Sequence, residues 1–168
     1  MTEFCLMSSE DDADHFYGVL DRLPLPMHEA PWRDTPAAEL RKQTALGHVS
    51  SRGSIVQLTS REPDAVMRAA ARWLDDLGRM PVFASDNNGF DYSFLNWYFH
   101  HTTRRNPFGH SSHNLKDLYK GVSGSARADM RKLRRTRHTH HPVDDCRGNY
   151  EAFRQFAHRI GVDLGAVA

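Results

Sequence analysis

The stretch "HTHHPVDD" at residues 138–145 sets His138, His140 and His141 beside the carboxylates of Asp144 and Asp145, with Pro142 between them. Imidazole titrates near neutral pH, so a loop histidine can accept a proton from an attacking water. A carboxylate on a rigid frame, such as the start of a helix, can hold a hydrated divalent cation. His140 and Asp145 are therefore a candidate base and a candidate metal ligand. Asp144 reads as an exposed neighbour or a helix cap. His138, His140 and His141 could instead form a zinc site, although no cysteine pair and no H-x3-H on a clear helix completes one. A polar loop with unrelated histidines is the plainest alternative, and all three stay open at this point.

A second acid, Asp91 in "SDNNGFDYSF", follows a short apolar run just where a helix begins. Strand ends of open α/β sheets are where ligands bind, but an acid there is also an ordinary helix cap. Residues 127–137, "RADMRKLRRTR", are dense in bases, within a chain of net charge +1. Such a block can hold a polyanion by neutralising phosphates, or it can be the solvated face of a helix.

These groups need elements to position them. A chain of 168 residues predicts one domain, spanning 1–168, with a proper core. Its 39% hydrophobic and 10% aromatic content argues against disorder. No apolar run approaches the ~20 residues of a membrane span, and no basic n-region marks a secretory signal. Cys5 and Cys146 are the only cysteines, which argues against a disulfide framework and fits a reducing cytoplasm.

"TEFCLMSS" and "HFYGVL" predict two strands joined as a hairpin across the acid-rich "SEDDAD". The four prolines of 24–36 predict a loop or extended segment. "AAELRKQTAL" is a weak helix and "GSIVQL" a weak strand. A stronger helix follows, with Thr59 and Glu62 at capping-box spacing, an apolar face of Val66, Ala70, Trp73, Leu74 and Leu77, and Gly78 as its end. "PVFAS" predicts a short buried strand. Phe90, Phe94, Leu95, Trp97 and Tyr98 recur at helical spacing. "TTRRNPFGHSSHN" is a polar loop closed by Asn114, a cap for "LKDLYKGV". The last helix starts at "PVDD" and presents Tyr150, Phe153, Phe156, Ala157 and Ile160. Two strands, then helices alternating with a strand, predict an α/β layered fold.

"PVFASDNNGFDYSFLNWYF" followed by "RHTHHPVDDCRGNYEAF" resembles the second and third motifs of the DEDDh 3′–5′ exonucleases. The second motif's aspartate falls on Asp91; the third motif's histidine and aspartate fall on His140 and Asp145. The resemblance implies a ribonuclease-H-like mixed sheet flanked by helices. It also implies two-metal hydrolysis of phosphodiesters at the 3′ ends of single-stranded DNA or RNA, with Mg²⁺ or Mn²⁺. By carry-over, Asp91 and Asp145 are metal ligands and His140 the general base. Arg134, Arg135 and Arg137 are candidate contacts to the nucleic acid. Phe94 and Tyr98 are candidates to stack on a terminal base, although their helical spacing favours a core role.

The family's first motif, an Asp-x-Glu on its first strand, is not found. Glu3, Glu10, Asp11, Asp12 and Asp14 are the early acids, and none forms that pattern in an apolar strand. "MTEFCLMSS" looks like the family's second strand. The resemblance thus implies an N-terminally truncated sheet, with two metal-ligand carboxylates missing and weak or absent activity. Its open edge could invite a homodimer. The alternative function is a non-catalytic module that binds nucleic acid on a degenerate exonuclease fold.

Overall fold

A computed structural model describes residues 3–20, 48–51, 54–57 and 62–162 of the chain. The prolines of 24–36, "AAELRKQTAL" and Thr59 lie outside the described residues.

Strands β1 (Glu3–Met7) and β2 (His15–Val19) pair antiparallel, Cys5 opposite Tyr17 and Leu6 opposite Phe16. Because side chains alternate across a strand, this register sorts them onto two faces. Phe4, Leu6 and Phe16 share the face that packs against the first described helix, α1 (Pro63–Asp75). Cys5 and Tyr17 share the other. There the last helix, α4 (Pro142–Ala157), closes in: the Cys146 thiol donates to the Cys5 carbonyl at 3.1 Å, and the His141 ring lies 5.3 Å from that of Tyr17. The two cysteines, remote in sequence, are neighbours across this layer and both are free thiols. The hairpin is thus sandwiched between helices, which is why four of the five β2 residues are buried.

The sheet continues through β3 (His48–Ser51) and β4 (Ser54–Gln57), all antiparallel, in the order β1-β2-β3-β4. β3 falls on a stretch with no strand signal in the sequence. The short strand β5 (Phe83–Ser85) leads into α2 (Asn88–Thr103), whose return brings β6 (Ser112–Asn114) back parallel to β5. β6 falls where the sequence predicts only polar loop. Asn114 then caps α3 (Leu115–Ser123), its side chain accepting from the Asp117 amide at 3.1 Å. At the start of α1, Glu62 is the N-cap residue without a side-chain cap bond, and Pro63 takes the first helical position.

The architecture is α/β, with helices flanking small sheets, but it departs from one continuous mixed sheet. The described strands form an antiparallel set of four and a parallel pair, and β1 and β5 each end a sheet. The main core joins β1, β2, α1, β5 and α2 around Phe16, Met67, Trp73, Leu74 and Phe99. A smaller cluster of Leu115, Met130, Ala152 and Phe156 joins α3 to α4. No described helix is long and apolar enough to cross a membrane.

Gly18 is the tightest point of the main core. A Cβ there would stand 2.6 Å from the Phe4 ring and 2.9 Å from Val66, so only glycine lets β2 approach both. Gly18→Ala should destabilise the chain by about 1–3 kcal/mol, the usual cost of overpacking a filled core. Urea unfolding would measure it; a variant as stable as the native chain would mean this contact is looser than described.

Candidate functional site

The site is organised by Asp86, the residue immediately after β5. Its Oδ1 accepts a hydrogen bond from Asn149 Nδ2 at 3.1 Å, and its Oδ2 meets both Lys116 Nζ and Arg134 Nη2 at 3.1 Å. Arg134 Nη2 also donates to Asn149 Oδ1, closing a triangle among the three side chains. Burial would raise the Asp86 carboxyl, but hydrogen bonds from Asn149 and Lys116 and the nearby Arg134 charge hold it below the usual carboxylate range. The Arg134 side chain is only 6% exposed. Its aliphatic stem lies over Gly148, where a Cβ would come within 3.0 Å of Arg134 Cδ. This explains a buried glycine inside α4, where it would otherwise cost about 1 kcal/mol against alanine.

α4 also fixes the basic segment that precedes it. Glu151 accepts from the Arg135 amide at 2.7 Å, the Thr136 amide at 2.8 Å and the Thr136 hydroxyl at 2.8 Å. These bonds overcome burial and keep the Glu151 carboxyl below its ordinary range. The segment is not a helical face: a 3-10 turn at Met130–Leu133 is followed by extended backbone at Arg134.

The histidine loop is thereby delivered to the start of α4. His141 caps the helix, its Nδ1 accepting from the Val143 amide at 3.3 Å. Thr139 ties the loop from both sides, donating to Asp144 Oδ2 at 2.7 Å and accepting from the His141 amide at 3.2 Å. His140 sits between these anchors at φ +64°, a left-handed conformation that costs a non-glycine residue energy and persists only where its surroundings impose it. The result is a cluster: ligand atoms of His138, His140 and Asp145 lie within 4.8 Å of one another. His138 Nδ1 is 2.6 Å from Asp145 Oδ1, and the His138 and His140 rings meet edge to face at 4.2 Å. Burial raises the Asp145 carboxyl above its ordinary value, with His138 offsetting part of the rise.

The structure therefore brings together His140 and Asp145, as the sequence suggested, with His138 beside them, while His141 of the expected histidine trio caps the helix instead. Asp91 lies in the first turn of α2 and is not one of the three residues whose ligand atoms lie within 4.8 Å of one another. Its carboxyl is also pushed up, by burial and by the Asp86 charge, against the opposing effects of the Ser85 hydroxyl and Lys116. Two hard cations need several converging carboxylate oxygens. Among the described residues, two imidazoles and one carboxylate form a set that could hold one ion.

Three other expectations are corrected by burial. Phe94 at 6% and Tyr98 at 2% exposure are core residues, and burial lifts the Tyr98 phenol to about 12. Neither presents a ring face to a base. The exposed aromatic residues of α2 are Phe90 at 52% and Trp97 at 38%. Arg134 is engaged with Asp86, so Arg135 and Arg137 are the exposed bases of that trio. Sequence reasoning missed Asp86, although an acid directly after a buried strand signals a strand-end site as well as Asp91 does. Nothing in the sequence marks Asn149 and Glu151 as its supports.

No family model matches the chain. It is similar to a protein named as the 3′-5′ DNA exonuclease Cap18 of Escherichia coli, at 48% identity over 42 residues. That stretch is 25% of this chain and 22% of the relative, so the match spans about a fifth of that protein's length. The chain is thus a distant homologue of a named exonuclease, and it carries a His/His/Asp cluster able to hold a metal ion.

The raised carboxyl of Asp91 has a signed consequence. The folded state holds this proton more tightly than the unfolded state, so the contribution to stability is full below the ordinary value of 3.8 and is lost as pH rises through the higher folded value. Asp91→Asn, which cannot ionise, should therefore be more stable than the native chain at neutral pH. The advantage should vanish in acid. Denaturant unfolding across pH checks this; an Asn variant equally destabilised at both ends would contradict it.

Proposed function

We propose that the chain is a 3′–5′ exonuclease domain that hydrolyses phosphodiester bonds at the 3′ ends of single-stranded DNA or RNA. The observation that carries this reading is the convergence of His140 and Asp145 at the N-terminus of α4, in a chain similar to a named exonuclease. His140 accepts the proton of the attacking water, aimed by its constrained backbone. Asp145 and Asp91 bind the metal. A divalent ion, Mg²⁺ or Mn²⁺, supplies positive charge to acidify water and stabilise the leaving oxygen, and Mn²⁺ suits the imidazole donors better. Arg135 and Arg137, exposed beside the loop, hold the phosphate backbone. Phe90, exposed and adjacent to Asp91, offers a ring face to the terminal base. Two free thiols suit the cytoplasm. The sheet ends at β1 and β5 are where a second copy would pair.

A second reading is a non-catalytic module that binds single strands. It is favoured by a ligand set within 4.8 Å that holds one carboxylate, Asp145, and does not include Asp91. One assay distinguishes the two: hydrolysis of 3′-labelled and 5′-labelled single strands with Mn²⁺, alongside binding at several salt concentrations. The exonuclease reading expects mononucleotides released from the 3′ end, and a loss of roughly 100-fold or more in His140→Ala. Absence of hydrolysis, with binding that survives Asp91→Ala and Asp145→Ala but weakens on neutralising Arg135 and Arg137, would establish the binding module instead.

A further inference from the structure

His138 has no place in the hydrolytic scheme, yet it makes the closest contact in the cluster. Its Nδ1 is approached from one side by Arg134 Nη1 at 3.4 Å. A guanidinium only donates, so that contact calls for a lone pair on Nδ1. From another side Asp145 Oδ1 stands 2.6 Å away, shielded from solvent. At this distance the two groups make an ion-pair contact bridged by a proton, which a metal ion could replace. His140 supplies a third donor within 4.8 Å, and both imidazoles are exposed. Around zinc, bonds of about 2.0–2.2 Å to nitrogen and oxygen put neighbouring donors roughly 3.3 Å apart, so the 2.6 Å pair would open slightly and the third donor, within 4.8 Å, would draw in. The positive charge of Arg134 opposes an ion here only weakly, because Asp86 already neutralises it.

We propose that His138, His140 and Asp145 form a single-ion site for a borderline transition metal of the zinc class, open at its fourth position to water. Two nitrogens and one oxygen disfavour Mg²⁺, which wants six oxygen ligands, and favour Zn²⁺ or Co²⁺. Occupancy has a regulatory consequence, and this part rests on the exonuclease reading. An ion bound to His140 engages the lone pair that would take the proton from water. Zinc at this site therefore switches the base off, and Zn²⁺ and productive Mn²⁺ exclude each other at Asp145. His138 is the residue that makes the inhibitory set complete.

The test is a titration of the whole chain with Co²⁺, read by its visible absorption, followed by displacement with Zn²⁺ and with excess Mg²⁺. One equivalent of Co²⁺ should bind, be displaced by Zn²⁺ and resist Mg²⁺. His138→Ala and Asp145→Asn should each weaken binding by at least roughly tenfold, the lower bound for losing even a supporting partner. His110→Ala, at an exposed histidine outside the cluster, should leave binding unchanged. Circular dichroism confirms that each variant is folded. Binding that is absent from the native chain, or equal in native and His138→Ala proteins, overturns the site. In the nuclease assay, one equivalent of Zn²⁺ should suppress the native chain strongly and His138→Ala little; equal suppression of both overturns the regulatory role. Metal binding as expected with no hydrolysis under any condition would leave the site standing and remove the exonuclease reading.

Discussion

The buried ion pair between Asp86 and Arg134 is the constraint on which the site depends. A guanidinium that is 6% exposed is far costlier to leave alone than to pair, and breaking such a pair from one side typically costs about 3–5 kcal/mol. Asp86 stands at the end of β5, Lys116 in the first turn of α3, Asn149 in α4, and Arg134 in the basic segment between them. One carboxylate thus ties four pieces of chain to a single point. Without it, Arg134 would lose its charged partner, and the segment leading to His138 and His140 would be held to α4 mainly through Glu151.

Around that point α4 acts as a rack. Asp145, Gly148, Asn149 and Glu151 lie within two turns of one another. Asp145 is a ligand, Gly148 leaves a groove for the Arg134 stem, Asn149 bridges to Asp86, and Glu151 anchors the Arg135 and Thr136 amides. The same helix closes the second face of the β1–β2 hairpin through Cys146 and His141. The chemistry therefore sits on a rigid element seated on the sheet, which is what a site with strained backbone at His140 requires.

Local signals make much of this visible in the sequence. The hairpin, the helix at Val66–Leu74, the β5 strand and the Asn114 cap are legible because alternation, helical spacing and capping chemistry are short-range properties. His140 and Asp145 are legible because they share one loop. What the sequence hides is pairwise and distant. Arg134 reads like its neighbours Arg135 and Arg137, and only the fold distinguishes a buried counter-ion from an exposed base. Phe94 and Phe90 are four residues apart on α2, yet Phe94 is buried and Phe90 is exposed. β6 escapes notice because Ser112–Asn114 has no apolar pattern, its strand character coming entirely from pairing with β5. The division into two sheets likewise follows from pairing, which no single segment declares.

The claim that one ion pair organises the site is tested most directly by a double-mutant cycle. Asp86→Asn, Arg134→Met and the double variant would be compared with the native chain in denaturant unfolding. The account predicts that the two changes are strongly non-additive, with a coupling of about 2 kcal/mol, because either change alone already removes the contact between them. Additivity to within about 0.5 kcal/mol would contradict it, and would mean that the segment carrying the histidines is held by something other than this pair.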